Sequence, residues 1–125
     1  MTDPNDHLSG KRLLVVEDEA FVALMLEAIL EGFGCDVVGV AGTLSRGLEY
    51  AGDETLKIDG AVLDINLGGE KVFPVAERLV ARGVPFIFCT GYGAEGVPRD
   101  FAGVPTIAKP YLEETLKTAL EAQIG

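Results

Sequence analysis

The sequence is poor in basic residues, cysteine and histidine, and it has no long apolar run. Ten lysines and arginines stand against 20 aspartates and glutamates, a formal charge of −10. Such a surface repels phosphate backbones and anionic membranes, and with no local basic patch, direct nucleic-acid binding is not expected. The two cysteines, Cys35 and Cys89, form no CxxC pair, and residues 1–10 are polar without the pattern of a signal peptide. A reducing, cytoplasmic setting is therefore expected, with both cysteines as core thiols. No apolar stretch approaches the length of a bilayer span, so no membrane association is expected. The lone histidine, His7, lies in the polar start and reads as solvated rather than as a ligand or relay residue. No GxxxxGK[ST] loop, GxSxG elbow or HExxH helix occurs. What is present is a 48% hydrophobic content in 125 residues, enough for the core of one domain.

The apolar residues are grouped with alternating period. Residues 11–16 carry Leu13, Leu14, Val15 and Val16 as a buried strand, and Phe21, Val22, Met25, Leu26, Ile29, Leu30 and Phe33 then recur at helical spacing until Gly32 and Gly34. Val37, Val38 and Val40 predict a second strand over 36–41, and Thr43 caps a helix through Leu44, Leu48 and Ala51. A third strand is expected over 60–64, then a helix with Val72, Val75, Ala76, Leu79 and Val80 on its stripe and Gly83 beyond its end. Residues 85–89 predict strand four. The segment 91–105 holds four glycines and two prolines, which leaves room only for a short turn around 98–102. A last strand over 105–108 and a helix with Leu112, Leu116, Ala119, Leu120 and Gln123 close the chain. Five such units predict an α/β, flavodoxin-like, doubly wound five-stranded parallel sheet of order 2-1-3-4-5, with helices on both faces and a short or degenerate fourth helix. Residues 1–10 are expected to be a flexible tail and 11–125 the domain.

In such sheets the site lies at the carboxyl ends of the strands. There the sequence places Glu17 and Asp18 after strand one, Asp64 at the end of strand three, Thr90 after strand four and Lys109 before Pro110 after strand five. Three converging carboxylates call for a cation, and hard oxygen ligands suit Mg²⁺ with retained waters. Three negative charges, one Mg²⁺ and Lys109 sum to zero, a cradle ready for a phosphoryl group. Asp64 would be the carboxylate nucleophile, with Mg²⁺ held by Asp18 and Asp64 and, through water, by Glu17. A Thr90 hydroxyl bonded to a phosphoryl oxygen would exist only in the phosphorylated state and would bias a two-state equilibrium.

The segments "LLVVEDE", "AVLDINL", "FIFCTG" and "AKP", in that order across residues 11–125, resemble the receiver (response regulatory) domains of bacterial two-component response regulators. The resemblance implies phosphorylation of Asp64 by a histidine kinase or phosphotransfer protein, an acidic pair Glu17 and Asp18, a switch hydroxyl Thr90, a phosphoryl-sensing Lys109 and a Mg²⁺ ligand in the Asn66 main-chain carbonyl. It also implies a cis bond between Lys109 and Pro110. With no output domain in the sequence, a stand-alone receiver acting on a separate downstream protein is expected. "FCTGYG" and "DINLGGEKVFPVAERL" resemble the narrower "FAT GUY" subgroup, in which the fourth helix is degenerate. Three places before the lysine, where receivers commonly carry an aromatic switch residue, this chain has Thr106, and Tyr92 is the candidate moving aromatic in its stead.

Each residue has a plainer explanation when taken singly. Glu17, Asp18 and Glu19 could complement the dipole at the start of the first helix, roughly 0.3 to 1 kcal/mol each. Asp64 could be a turn residue and Thr90 a loop hydroxyl. Lys109 resists such a reading, because it precedes a helix N-terminus where a cation is disfavoured unless carboxylates lie nearby. Gly91, Gly93 and Gly96 spell GxGxxG, but Pro98 interrupts the helix such a site requires, and too little chain remains for a dinucleotide fold. A Mg²⁺-dependent phosphohydrolase with the same aspartyl-phosphate chemistry needs an acid two places after the nucleophile, where Asn66 stands. A pseudo-receiver that binds partners without phosphorylation would lack key acids that are present here. The expectation is a phosphoacceptor switch rather than a turnover enzyme.

Overall fold

Short apolar runs form strands and the amphipathic stretches between them form helices in the computed structural model, which describes residues 7–91 and 96–125. The elements are β1 (Arg12–Val16), α1 (Ala20–Gly32), β2 (Asp36–Ala41), α2 (Leu44–Gly52), β3 (Gly60–Asp64), β4 (Asn66–Leu67), β5 (Glu70–Lys71), α3 (Phe73–Ala81), β6 (Phe86–Thr90), a 3₁₀ turn (Arg99–Phe101), β7 (Thr106–Ala108) and α4 (Glu113–Gln123). The main sheet is parallel in the order β2-β1-β3-β6-β7, which is 2-1-3-4-5 counted over its own five strands.

Alternate strand residues face opposite layers, as the two-residue period of a strand requires. Leu14, Val16, Ala61, Leu63, Phe86 and Phe88 pack with Ala51 of α2 and with Val75, Ala76 and Leu79 of α3. Leu13, Val15, Val62, Ile87, Cys89 and Ile107 pack on the other face with Leu26 and Leu30 of α1 and Leu116 and Leu120 of α4. Each fully buried Val, Leu, Ile or Phe side chain among them contributes roughly 1.5 to 3 kcal/mol. Two polar devices fix the helices on the first layer. The Thr43 hydroxyl accepts from the Arg46 N–H at 3.1 Å, capping α2. The Arg82 guanidinium donates to the Ala51 and Leu56 carbonyls at 2.9 and 2.7 Å, tying the end of α3 to the end of α2.

The fourth helix is reduced to the 3₁₀ turn, since Pro98 has no N–H to donate and the turn ends just before Gly103 and Pro105. Phe101 anchors it, stacked on Phe73 at 5.9 Å between ring centroids and edge-on to Phe88 at 5.7 Å.

The structure departs from the sequence reading in four places. Residues 7–10 are not a flexible tail: Leu8 is 0% exposed in the α1–α4 layer, its carbonyl accepts from Lys11 N–H, and Gly10 N–H donates to Gly34 O. His7 itself is exposed. The expected α1 stripe is too wide: Ala23, Leu26 and Leu30 are buried and Ile29 and Phe33 pack partly against the core, while Phe21 is 72% exposed and Met25 half exposed. A single helix seated on a sheet buries one narrow stripe, and a helix apolar nearly all round does not say which. Val80, on the outer side of α3, and Leu112, the residue before α4, are exposed as well. Finally, β4 and β5 form an antiparallel hairpin that the sequence reading did not contain. Its two loop residues, Gly68 and Gly69, have φ of +60° and +96°, a primed turn that glycine adopts without strain.

Candidate functional site

Because all five strands run in one direction, their last residues share one edge. Glu17 follows β1, Asp64 ends β3, Thr90 ends β6 and Lys109 follows β7. Register sets their heights: Val16 pairs with Leu63, Asp64 with Cys89 and Thr90 with Ala108. Lys109 is locked by its own N–H, which donates to the Thr90 carbonyl at 2.8 Å. The Lys109–Pro110 peptide is cis. Glu17, Asp64 and Thr90 are the three buried polar or charged side chains among the described residues.

The Lys109 ammonium joins two of them. Its Nζ donates to Glu17 Oε1 at 2.5 Å and to Asp64 Oδ2 at 3.1 Å. Glu17 Oε2 accepts from the Glu19 N–H at 3.1 Å, and Asp64 Oδ1 takes a long bond of 3.4 Å from the Asn66 N–H. Asp18, exposed, turns Oδ2 to the Gly68 N–H at 3.0 Å. Asp18, Glu19, Asp64, Asn66, Gly91 and Lys109 line a cleft of about 280 Å³.

Burial and the neighbouring Glu17 carboxylate push the Asp64 carboxyl up to about 7, with Lys109 pulling the other way. Burial acts against the charge on Lys109, but its bonds to Glu17 and Asp64 outweigh it and hold the ammonium above its ordinary value. Cys89, behind the site, is pushed up to about 12 by burial, which leaves it an unreactive thiol.

Of the residues singled out in the sequence, Asp18, Asp64, Asn66 and Lys109 therefore line the cleft, Glu17 is buried against Lys109, and Thr90 is buried next to the lining residue Gly91. Tyr92 lies outside the described residues. The sequence reading missed the roles of two neighbours. Glu19 was read as a helix-dipole residue, yet its carboxylate lies with those of Glu17 and Asp18 within 4.8 Å of one another. Gly68 reaches Asp18 across 50 residues of chain, and the signal for it was the Gly-Gly pair between Leu67 and Glu70.

A doubly wound sheet with two buried carboxylates bridged by one lysine at its carboxyl edge has its charged groups where open α/β sheets carry their sites. No protein-family model matches the chain. It is 39% identical over 83 residues to the phyllosphere-induced regulator PhyR of Methylorubrum extorquens, covering 64% of this chain and 30% of PhyR. SdrG from Sphingomonas melonis Fr1 is 42% identical with a TM-score of 0.77, covering 90% of this chain and 95% of that one, and SdrG has also been solved in a BeF₃-activated conformation. The receiver domain of the PhyR response regulator from Erythrobacter litoralis superposes with a TM-score of 0.79 at 26% identity, over 91% of this chain and 89% of that one. The chain belongs to the receiver domains of response regulators, the signalling proteins of two-component systems. It spans about a third of the length of PhyR, and among its described residues no helix is long and apolar enough to cross a membrane.

Proposed function

We propose that this receiver is phosphorylated on Asp64 in a Mg²⁺-dependent reaction, with a histidine kinase or phosphotransfer protein as donor and a separate protein as the reader of the changed surface. The observation that carries the reading is the Lys109 ammonium held between Glu17 and Asp64 at the wall of an open cleft. A buried carboxylate hydrogen-bonded to a fixed cation at the wall of an open cleft is placed to receive a group that carries negative charge.

The donor set fits Mg²⁺. Asp18, Asp64 and the Asn66 carbonyl are hard oxygen ligands around a cleft roomy enough to retain waters. Glu17, with one oxygen on Lys109 and the other on the Glu19 N–H, contributes through water and chiefly holds the lysine. Against the carboxylates of Glu17, Asp18, Glu19 and Asp64 the chain supplies the Lys109 ammonium, so a divalent cation would offset most of the remaining negative charge. When bound, Mg²⁺ neutralises the equatorial oxygens of the incoming phosphoryl group and keeps Asp64 ionised.

The chain's own residues do the rest. Asp64 attacks the phosphorus with a carboxylate oxygen, the bond to the donor nitrogen breaks, and an acyl phosphate forms. Lys109 shifts its hydrogen bond from the Asp64 carboxylate to a phosphoryl oxygen, and Thr90 donates its hydroxyl to another. That second bond exists only in the phosphorylated state and so selects one arrangement of the chain after β6. Val22, the exposed Met25 and Ile29 of α1, with Pro110 and Tyr111, line an apolar groove that shares Glu19, Gly91 and Lys109 with the cleft, which suits the docking of a protein donor. The BeF₃-activated conformation of SdrG supports the same chemistry here.

The test is incubation of the wild type and of Asp64→Asn with Mg²⁺ and acetyl phosphate, followed by intact mass, with beryllium fluoride and amide NMR as a second arm. The wild type should gain one phosphoryl group and the variant none. Equal uptake by Asp64→Asn would refute the assignment.

A further inference from the structure

Asp18 is an exposed carboxylate of the cleft, and an exposed aspartate has no reason of its own to stay in one rotamer. Here it is held from outside its own element. Gly68 N–H, at the tip of the β4–β5 hairpin, donates to Asp18 Oδ2 at 3.0 Å across 50 residues of chain. The tip is closed in turn by a side chain: Asn66 Oδ1 accepts from the Gly69 N–H at 3.2 Å. Three of the polar groups of Asn66 divide its functions. Its N–H goes to Asp64, its carbonyl is the candidate ligand, and its side-chain oxygen is spent on the hairpin and not on the cleft.

We infer that the Asn66 side chain is a positioning residue for Asp18: by closing the Gly68-Gly69 turn it aims the Gly68 N–H at Asp18 Oδ2 and leaves Oδ1 to meet the cation. This rests on the Mg²⁺ reading of the cleft given above. The logic is preorganisation. A carboxylate ordered before binding spares the ordering entropy that each flexible ligand otherwise costs on binding, and the hydrogen bond to Oδ2 favours single-oxygen coordination. Such a turn also explains why a two-residue hairpin with two positive-φ glycines sits directly after the phosphoacceptor strand.

The experiment uses the whole chain and needs no phosphodonor. Mg²⁺ is titrated into wild type, Asn66→Ala, Asp18→Asn and the double variant, followed by amide NMR, and exchange of the Gly68 and Gly69 amides is measured without metal. Asn66→Ala should weaken Mg²⁺ binding by about threefold to tenfold, the cost of ordering one side chain. In the Asp18→Asn background the same change should cost less than about twofold, because the carboxylate through which it acts is gone. Without metal, both glycine amides should exchange faster in Asn66→Ala and regain protection in Asn66→Asp, which keeps the acceptor. Equal Mg²⁺ affinity of wild type and Asn66→Ala, or an undiminished loss in the Asp18→Asn background, would overturn the inference alone. A wild type that binds no Mg²⁺ would bring down the reading of the cleft and this inference with it.

Discussion

Asp64 is a liability to the fold before it is an asset to signalling, and removing its charge should make the metal-free protein more stable. Its carboxyl is raised from an ordinary value of 3.8 to about 7 by burial and by Glu17, with Lys109 compensating only in part. Below about pH 4 both the folded and unfolded states carry the proton and no penalty exists. Between about pH 4 and pH 7 the unfolded chain releases a proton that the folded chain keeps, so stability falls as pH rises through this window. About three pKa units at about 1.4 kcal/mol each set a ceiling near 4 kcal/mol. The cleft beside Asp64 is open, and access of water to it lowers the penalty. Asn retains an acceptor for Lys109 but gives up a charge-assisted bond, which offsets about 1 kcal/mol. Asp64→Asn should therefore gain about 1 to 3 kcal/mol near pH 8, and its stability should be flatter from about pH 5 to pH 8. Urea unfolding in a chelating buffer measures both. Added Mg²⁺ should narrow the gap by stabilising the wild type preferentially. A variant no more stable than the wild type near pH 8, or one with an unchanged pH slope, would refute the electrostatic account of the site.

Leu8→Ala should cost about 2 to 4 kcal/mol by thermal or urea unfolding, because a fully buried leucine leaves a cavity in the α1–α4 layer; a loss under about 0.5 kcal/mol would mean that residues 7–10 do not dock in solution. Thr90→Ala should still take up phosphoryl from acetyl phosphate, since the nucleophile and Lys109 are intact, but should fail to pass the change to chain beyond β6. Amide shifts on beryllium fluoride binding that extend through the 3₁₀ turn to the same degree as in the wild type would end the switch role of that hydroxyl.

The main elements were legible where one physical signal dominated. Four or five consecutive apolar residues with turn signals on either side leave little choice but a buried strand, as in β1, β3 and β6. Pro98 and the glycines around it ruled out a long fourth helix on backbone grounds alone. The site residues were legible because parallel strands must end on one edge, so position in sequence became position in space for Asp64, Thr90 and Lys109. Leu8 was hidden because a single leucine in a polar stretch has no period to reveal it. Phe21 and Met25 were misplaced because α1 is apolar on more than one face, and only its seating on the sheet decides which face is covered. The β4–β5 hairpin was missed although Gly68-Gly69 announces a tight turn, since strands of two residues show no alternation.

By itself the sequence determined the order of elements and the edge on which the acids, the hydroxyl and the lysine would gather, because backbone preference and apolar period act over a few residues. Tertiary structure alone decided how those groups are paired. That Lys109 rests between Glu17 and Asp64, that Glu17 turns from the cleft to the lysine, and that Asp18 is held by an amide 50 residues away are consequences of strand register and a two-residue turn. Hydrogen bonds and charges depend on distances of a few ångströms between distant segments, which no local pattern in the chain encodes.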